Sequence, residues 1–253
     1  RGLQINVLQR RDRRMQGLWL SQIEDHAGLA MRPEVSGAVG VRYRLQPRRI
    51  NGVPTPETPA SPWQVTQVWR AAGDGLLGMI VLEALEDAPG IAVQGRIALG
   101  QIDPRQIAGK DWRAGPLRVR FYDSFGTTSA QPVPANTTPT RWPGIVCEQP
   151  LADGAKAGQR FVYSVWLGPE TATPPTQFER LPEDTGWVAV WADGRRVAAV
   201  FNPGAEQTEI RVPWSGASPQ VWNGLAGEAA RPRPKGGSVL VQLPAGACAL
   251  LER

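Results

Sequence analysis

The stretch from Trp187 to Pro203, WVAVWADGRRVAAVFNP, contains two alternating segments on either side of an Asp-Gly pair. Asp193-Gly194 is typical of a tight β-hairpin turn, whose two central residues need positive φ angles. Both faces of the flanking strands are apolar, which is typical of strands that are buried on both sides. We therefore expect Trp187 and Trp191 to lie in the core.

The same period-two alternation recurs along the chain and indicates further half-buried antiparallel strands. It is found in five more segments: Leu3–Val7, Val39–Leu45, Leu117–Tyr122, Phe161–Leu167 and Val239–Leu243. Helical patterning is weak, with single turns expected near Ser21–His26 and over Pro104–Ala108. The 28 glycines and 24 prolines interrupt the chain too often for a helical protein. The pattern predicts an all-β chain.

A chain of 253 residues is long enough for two domains, each with its own core. We predict two antiparallel β-sandwich domains, of jelly-roll or Ig-like type, over residues 1–170 and 185–253. The Pro/Thr-rich residues 171–184 are predicted to link them, and residues 50–62 to form a long loop in the first domain. No apolar run reaches about 18 residues, so we expect no transmembrane segment.

The C-terminal block carries three features in a fixed order. They are a strand that ends in Phe201-Asn202, the segment Trp222–Glu228, and Leu243-Pro244-Ala245-Gly246 followed by Leu250. In this order the block resembles the small β-sandwich behind the catalytic barrel of several glycoside hydrolase families, including α-amylase-like and β-galactosidase-like enzymes. The resemblance covers residues 187–253 and implies an accessory domain that is not itself catalytic.

A second resemblance covers the segment Leu117–Leu167. RVRFYDSFG (118–126), then Arg141-Trp142, then QPLADGAKAGQRFVYSVWLG (149–168) give a strand ending in Asp, a Trp strand, a turn and a last aromatic strand. This order resembles the jelly-roll carbohydrate-binding modules of secreted glycosidases, although long Pro-rich insertions depart from their pattern. It implies a glycan as the ligand.

The residues that would carry catalysis or nucleic-acid binding do not form a recognisable pattern. His26 is the single histidine, beside Glu24 and Asp25, and one histidine cannot make a histidine-rich metal site. No G-x-S-x-G elbow and no Walker-type loop is present. The basic cluster Arg10–Arg14 has no recognition motif beside it, so we interpret it as a solvated turn. We therefore predict no cofactor, no metal, no catalytic residue and no nucleic-acid partner.

Aromatic residues are the remaining candidates for a binding site. If Phe161, Tyr163 and Val165 face the core, alternation places their neighbours on the opposite, outward face. The predicted platform and its rim consist of Arg118, Arg120, Tyr122, Ser164 and Trp166 with Trp112 and Trp142. A flat indole with polar groups beside it is suited to stacking on a sugar ring. The alternative is that these aromatic residues are core or interdomain contacts.

Two cysteines, Cys147 and Cys248, lie in apolar strand-like segments. A disulfide between them would tie the middle of the chain to its C-terminal block. The alternative, two buried free thiols, is equally compatible with the sequence.

The sequence therefore predicts a non-catalytic, extracellular or cell-envelope protein that binds polysaccharide or another glycan, as an accessory to a glycan-active system. One alternative is a structural subunit of a surface layer, appendage or virion that contacts sister chains through its strands and loops. A second alternative is a β-rich glycosidase or lyase.

Overall fold

The computed structural model describes residues 3–8, 38–44, 62–72, 75–90, 92–98, 104–131, 144–223, 229–230 and 232–253. These residues contain β-strands and one 3₁₀ turn, Pro182–Asp184, and no α-helix occurs among them. The predicted all-β class is therefore confirmed. Over the same residues, we find no helix with the length and apolar character needed to cross a membrane.

The strands are between two and ten residues long. They are β1 (Leu3–Leu8), β2 (Ala38–Arg44), β3 (Trp63–Ala72), β4 (Gly75–Ala84), β5 (Ala92–Ala98), β6 (Arg105–Ala108), β7 (Asp111–Ala114), β8 (Leu117–Asp123), β9 (Thr127–Gln131), β10 (Gly144–Pro150), β11 (Arg160–Pro169), β12 (Gln177–Arg180), β13 (Gly186–Val190), β14 (Arg196–Phe201), β15 (Thr208–Pro213), β16 (Gln220–Asn223), β17 (Ala229–Ala230), β18 (Ser238–Leu243) and β19 (Cys248–Glu252).

These strands form four sheets. A four-stranded sheet has the order β1-β5-β10-β9, and a seven-stranded sheet has the order β2-β3-β4-β11-β8-β7-β6. A six-stranded sheet has the order β12-β13-β14-β19-β16-β17, and β15 pairs with β18 alone. The described residues of the five alternating segments outside the opening hairpin all lie in strands, as their patterns predict, and Leu45 lies outside the described residues.

The chain divides into two compact units, and neither is continuous in sequence. The first contains the described residues within 1–30, 43–65 and 80–163, and the second those within 31–42, 66–79 and 164–253. The sequence-based boundaries were 1–170, 171–184 and 185–253. They differ because β3, β4 and β11 each contribute residues to both units, and no local composition change marks such a division.

In the first unit, an aromatic cluster packs between two sheets. Phe125 lies edge-on to Phe161 with ring centroids 5.9 Å apart, and Trp63 lies 6.1 Å from Phe161. Gly95 of β5 faces Tyr163 of β11, and a Cβ at Gly95 would lie 2.8 Å from that ring. The four-stranded sheet therefore lies face to face with this part of the seven-stranded sheet, in a sandwich-like arrangement.

In the second unit, the six-stranded sheet is covered on both faces. One face packs against the β15–β18 pair, through a buried cluster that includes Val188, Val200 and Leu251 from the sheet and Val212 and Val241 from the pair. This packing again resembles one layer of a sandwich on another.

The opposite face of this sheet contacts β2 and β3. The Nε1 of Trp187 donates a hydrogen bond to the carbonyl of Val68 over 3.0 Å. A Cβ at Gly40 would lie only 2.3 Å from the ring of Phe201. Both faces of the hairpin strands are therefore covered, and Trp187 and Trp191 are both in the core as predicted. The turn residues Asp193, Gly194 and Arg195 remain exposed.

The Asp-Gly hairpin forms, but its turn differs from the one expected. Gly194 has a φ of +83°, whereas Asp193 is not among the described residues with positive φ. The Gly194 amide donates to the Trp191 carbonyl, and the Trp191 amide donates to the Arg195 carbonyl. This is a three-residue loop in which a type I turn is followed by a left-handed glycine.

Two further expectations are corrected. Residues 105–108 form the strand β6 rather than a helical turn, because they pair with β7 in register Arg105 to Arg113. The segment 171–184 is not wholly a linker, because β12 lies within it and pairs antiparallel with β13. The expected helical turn near residues 21–26, the cluster at residues 10–14 and the loop at residues 50–61 lie outside the described residues.

Both cysteines are free thiols in the structure. Cys147 lies on β10, where its sulfur is 3.5 Å from the hydroxyl of Thr128. Burial raises the pKa of the Cys147 thiol above its ordinary value. Burial also raises the pKa of the Cys248 thiol to about 11, against a hydrogen bond from the Gly40 backbone.

We expect Trp187→Ala to lower the free energy of unfolding by about 3–5 kcal/mol, because it removes a fully buried indole and its hydrogen bond. Trp222 is the matched control, since it lies in the same cross-strand row, through Ala199 and Leu250, yet is 36% exposed. Trp222→Ala should cost about 1 kcal/mol. Urea unfolding followed by circular dichroism measures both, and equal losses would contradict the enclosed face.

Neither thiol should react readily with Ellman's reagent in the folded protein. The raised pKa of Cys248 lowers its thiolate fraction at about pH 8 by about a hundredfold, and the thiolate is the nucleophile. Unfolding in denaturant should make both thiols reactive. Rapid native reaction of either cysteine at that pH would refute the burial described here.

Candidate functional site

The three predicted residues of β8 share one half-buried face. Arg118, Arg120 and Tyr122 alternate with the buried Val119 and Phe121. The sequence-based alternation is therefore confirmed for this strand. These three side chains are partly covered rather than fully exposed.

Electrostatic contacts hold this face of β8 in place. Arg118 makes a bidentate ion pair with Asp111, with N–O distances of 2.6 Å and 3.0 Å. The guanidinium carbon of Arg120 lies 5.7 Å from the ring centroid of Tyr122. Burial raises the pKa of Tyr122 well above its usual value, so its hydroxyl stays protonated at neutral pH. Arg118 is thus engaged within the protein.

The rest of the predicted platform is not exposed. Ser164 and Trp166 are 0% and 1% exposed, so the expectation that they face outward is wrong. The physical reason is that β11 lies between β4 and β8 and is covered on both faces, since Tyr163 and Val165 are buried as well. Trp112, expected at a rim, is buried on β7. Trp142 lies outside the described residues.

Trp166 nevertheless lines a cavity of about 420 Å³ in the second unit, which we call the tryptophan cavity. It is lined by Ala72, Gly75, Trp166, Thr171, Ala172, Thr173, Trp191, Ala192, Asp193 and Arg195. The two indoles are buried, whereas Thr171, Thr173, Asp193 and Arg195 are exposed. The cavity thus has an aromatic floor and a polar rim.

Two glycines make room for the indole of Trp166. A Cβ at Gly75 of β4 would lie 2.2 Å from Nε1 of Trp166, and a Cβ at Gly168 would lie 2.2 Å from its Cζ2. The ring therefore lies directly against backbone that carries no side chain. Any larger residue at either position would displace Trp166 from the floor of the cavity.

The hairpin turn positions the other side of the cavity. Nε1 of Trp191 donates to the Thr173 carbonyl over 2.9 Å. The guanidinium carbon of Arg195 lies 4.2 Å from the centroid of the Trp191 ring, a cation–π contact. An Asp193 carboxylate oxygen accepts the Arg195 amide over 2.9 Å. These contacts preorganise Asp193 and Arg195 at the rim.

The chemistry available in the cavity is recognition by hydrogen bonding over an apolar floor. Asp193 offers acceptor oxygens, Arg195 offers donors, and the hydroxyls of Thr171 and Thr173 offer both. No group of three or more His, Cys, Asp or Glu residues suited to a metal occurs among the described residues. His26 lies outside them.

Sequence reasoning missed most of this site. Thr171 and Thr173 fall in the segment interpreted as a linker, and Asp193 and Arg195 fall in the hairpin turn. Gly168 could have indicated the site from the sequence. It lies two residues after Trp166 on the same face of the strand, and the missing side chain lets the indole lie along the backbone.

One glycine-rich segment matches a nucleotide-binding pattern in sequence but not in structure. Gly73-Asp74-Gly75-Leu76-Leu77-Gly78 matches G-x-G-x-x-G in letters. A dinucleotide-binding loop requires that this pattern open a helix. Gly75 and Gly78 instead lie inside strand β4, where a Cβ at Gly78 would meet the ring of Trp69. Gly75 and Gly78 therefore serve aromatic packing, against Trp166 and Trp69 respectively.

No protein-family model matches this chain, and no curated protein has a significantly similar sequence. The site is therefore defined by its own geometry.

Proposed function

We propose that this protein binds carbohydrate in the tryptophan cavity and serves a glycan-active system at the cell exterior or envelope. The observation that carries the proposal is the convergence of two indoles, one carboxylate and one guanidinium on a cavity of about 420 Å³. Small-molecule sites have volumes of about 300–1,000 Å³, a range that includes this cavity.

The arrangement of floor and rim fits a sugar better than a purely apolar ligand. A sugar ring carries C–H groups on its faces and hydroxyls around its edge. The small part of each buried indole that reaches the cavity offers apolar contact to the C–H groups. The exposed rim of Thr171, Thr173, Asp193 and Arg195 complements the hydroxyls. Because Asp193 and Arg195 are already fixed by the turn, little side-chain freedom is lost when they bind.

Binding rather than hydrolysis is the activity we propose for this cavity. Hydrolysis of a glycosidic bond ordinarily takes a pair of carboxylates that flank the bond. Among the residues that line the cavity, Asp193 is the single carboxylate. The resemblance of residues 187–253 to accessory domains of glycoside hydrolases agrees with this role, and the jelly-roll or Ig-like type of the two domains is part of the same proposal.

A structural subunit is a second candidate, favoured by β6. This strand lies at the edge of the seven-stranded sheet, all four of its residues are exposed, and Ile107 is 54% exposed. Exposed edge strands are surfaces on which other chains pair.

Light scattering at high protein concentration tests the structural role. An assembly that the Ile107→Lys variant no longer forms supports this role, and a monomer at every concentration contradicts it.

Asp193→Asn is the sharpest test of the carbohydrate site. Asparagine keeps an oxygen for the Arg195 amide and so preserves the turn, but it removes the charge that strengthens hydrogen bonds to sugar hydroxyls. We expect a glycan array to identify a ligand, and calorimetry with that ligand to show about five- to tenfold weaker binding for the variant.

The matched control is Asp153→Asn, which changes an exposed aspartate of the first unit in the same way. It should bind as tightly as the wild type. The proposal is wrong if the array gives no ligand, or if Asp193→Asn and Asp153→Asn bind the ligand equally well.

A further inference from the structure

A second cavity of about 390 Å³ lies in the same unit and is lined mainly by charged side chains. We call it the arginine cleft. Its lining consists of Arg70, Arg195, Val197, Ser218, Gln220, Glu252 and Arg253. Arg195 belongs to the tryptophan cavity as well, so one guanidinium borders both.

The floor of the cleft is a rigid part of the six-stranded sheet. Val197 of β14 pairs with Glu252 of β19, and Glu252 pairs with Gln220 of β16. Residues paired in this way point to the same face of an antiparallel sheet. Val197, Glu252 and Gln220 therefore form one row across three neighbouring strands.

Arg70 is buried beside this row and is fixed by three acceptors. It donates to the carbonyls of Leu251 and Ala71, each over 3.1 Å, and to the carboxylate of Glu252 over 2.5 Å. Burial, together with the smaller effect of the Arg195 charge, lowers the pKa of Arg70 to about 10, and Glu252 opposes this shift. Arg70 therefore remains charged at neutral pH.

The two exposed arginines are also held by the protein. Arg195 stacks on Trp191, as described above. A Cβ atom on Gly216 would lie only 2.5 Å from a guanidinium nitrogen of Arg253. The missing side chain at Gly216 therefore leaves space for this guanidinium group. Gly216 has a φ of +90°, a conformation that also favours glycine.

The side-chain charges in the cleft do not balance. The lining side chains include three guanidinium groups and one carboxylate, so they carry a net charge of two positive units. Guanidinium groups bind the planar carboxylate in a bidentate manner and also donate to tetrahedral oxyanions such as sulfate. Ser218 and Gln220 add neutral hydrogen-bonding groups. An anionic group is the ligand chemistry that this arrangement fits.

We propose that the arginine cleft binds an anionic oxygen group, a carboxylate or a sulfate ester, of the glycan whose neighbouring sugar occupies the tryptophan cavity. The protein would then select acidic polysaccharides over neutral ones. This inference rests on the proposed function, because Arg195 connects the two cavities and one ligand spans both.

Calorimetry with three probes tests the inference: a uronic-acid trisaccharide, the methyl ester of the same trisaccharide, and inorganic sulfate. We expect the acid to bind about tenfold more tightly than its uncharged ester, and this preference to shrink in salt. Arg253→Gln should reduce the preference about fivefold or more, with Arg253→Lys intermediate. Arg211→Gln, an exposed arginine on β15, is the matched control and should leave the preference unchanged.

Each outcome separates the two proposals. If the ester binds and the acid binds no more tightly, the cleft inference is overturned and carbohydrate binding stands. If sulfate binds in an Arg253-dependent manner but neither trisaccharide nor any array glycan binds, the anion site stands and the carbohydrate proposal falls. If inorganic sulfate and a sulfated array glycan bind but the uronic-acid trisaccharide does not, the anionic group that the cleft binds is a sulfate ester. Absence of all binding overturns both.

Discussion

The enclosure of the six-stranded sheet on both faces is the constraint on which the second unit depends. A strand that is buried on both sides must carry apolar residues at every position, and β14 does so from Val197 to Phe201. The hydrophobic effect then fixes this sheet between the β15–β18 pair and β2 with β3, with Trp187 tied to the Val68 carbonyl. Polar side chains are left to the turns and the strand ends.

Both cavities form where that enclosure stops. The tryptophan cavity lies at the turn between β13 and β14, and the arginine cleft lies at the end of the row that contains Glu252 and Gln220. Each has rigid sheet beneath it and exposed polar groups above. A rigid framework that positions a few polar residues on loops is the usual way in which β-proteins bind ligands.

The strands could be predicted from the sequence, because alternation is a local property that β1, β8 and β18 display directly. The exposure of each strand face could not be predicted from the sequence, and Trp166 shows why. Alternation established which residues of β11 share a face, but whether a face meets water depends on what covers it. The turn also formed at Asp193-Gly194 as expected, yet loop length selected a type I turn. Two of the four residues of the polar rim, Thr171 and Thr173, came from a segment whose composition is typical of a linker.

For β19, the order along the chain differs from the order in the sheet. It follows all the other described strands in the chain, yet it lies between β14 and β16 in the middle of the six-stranded sheet. During synthesis the earlier strands of this sheet therefore lack their central partner. The unpaired edges of these apolar strands are prone to aggregation. The sheet can close only once residues 248–252 have been made, because β14 and β16 each pair with β19 and not with one another.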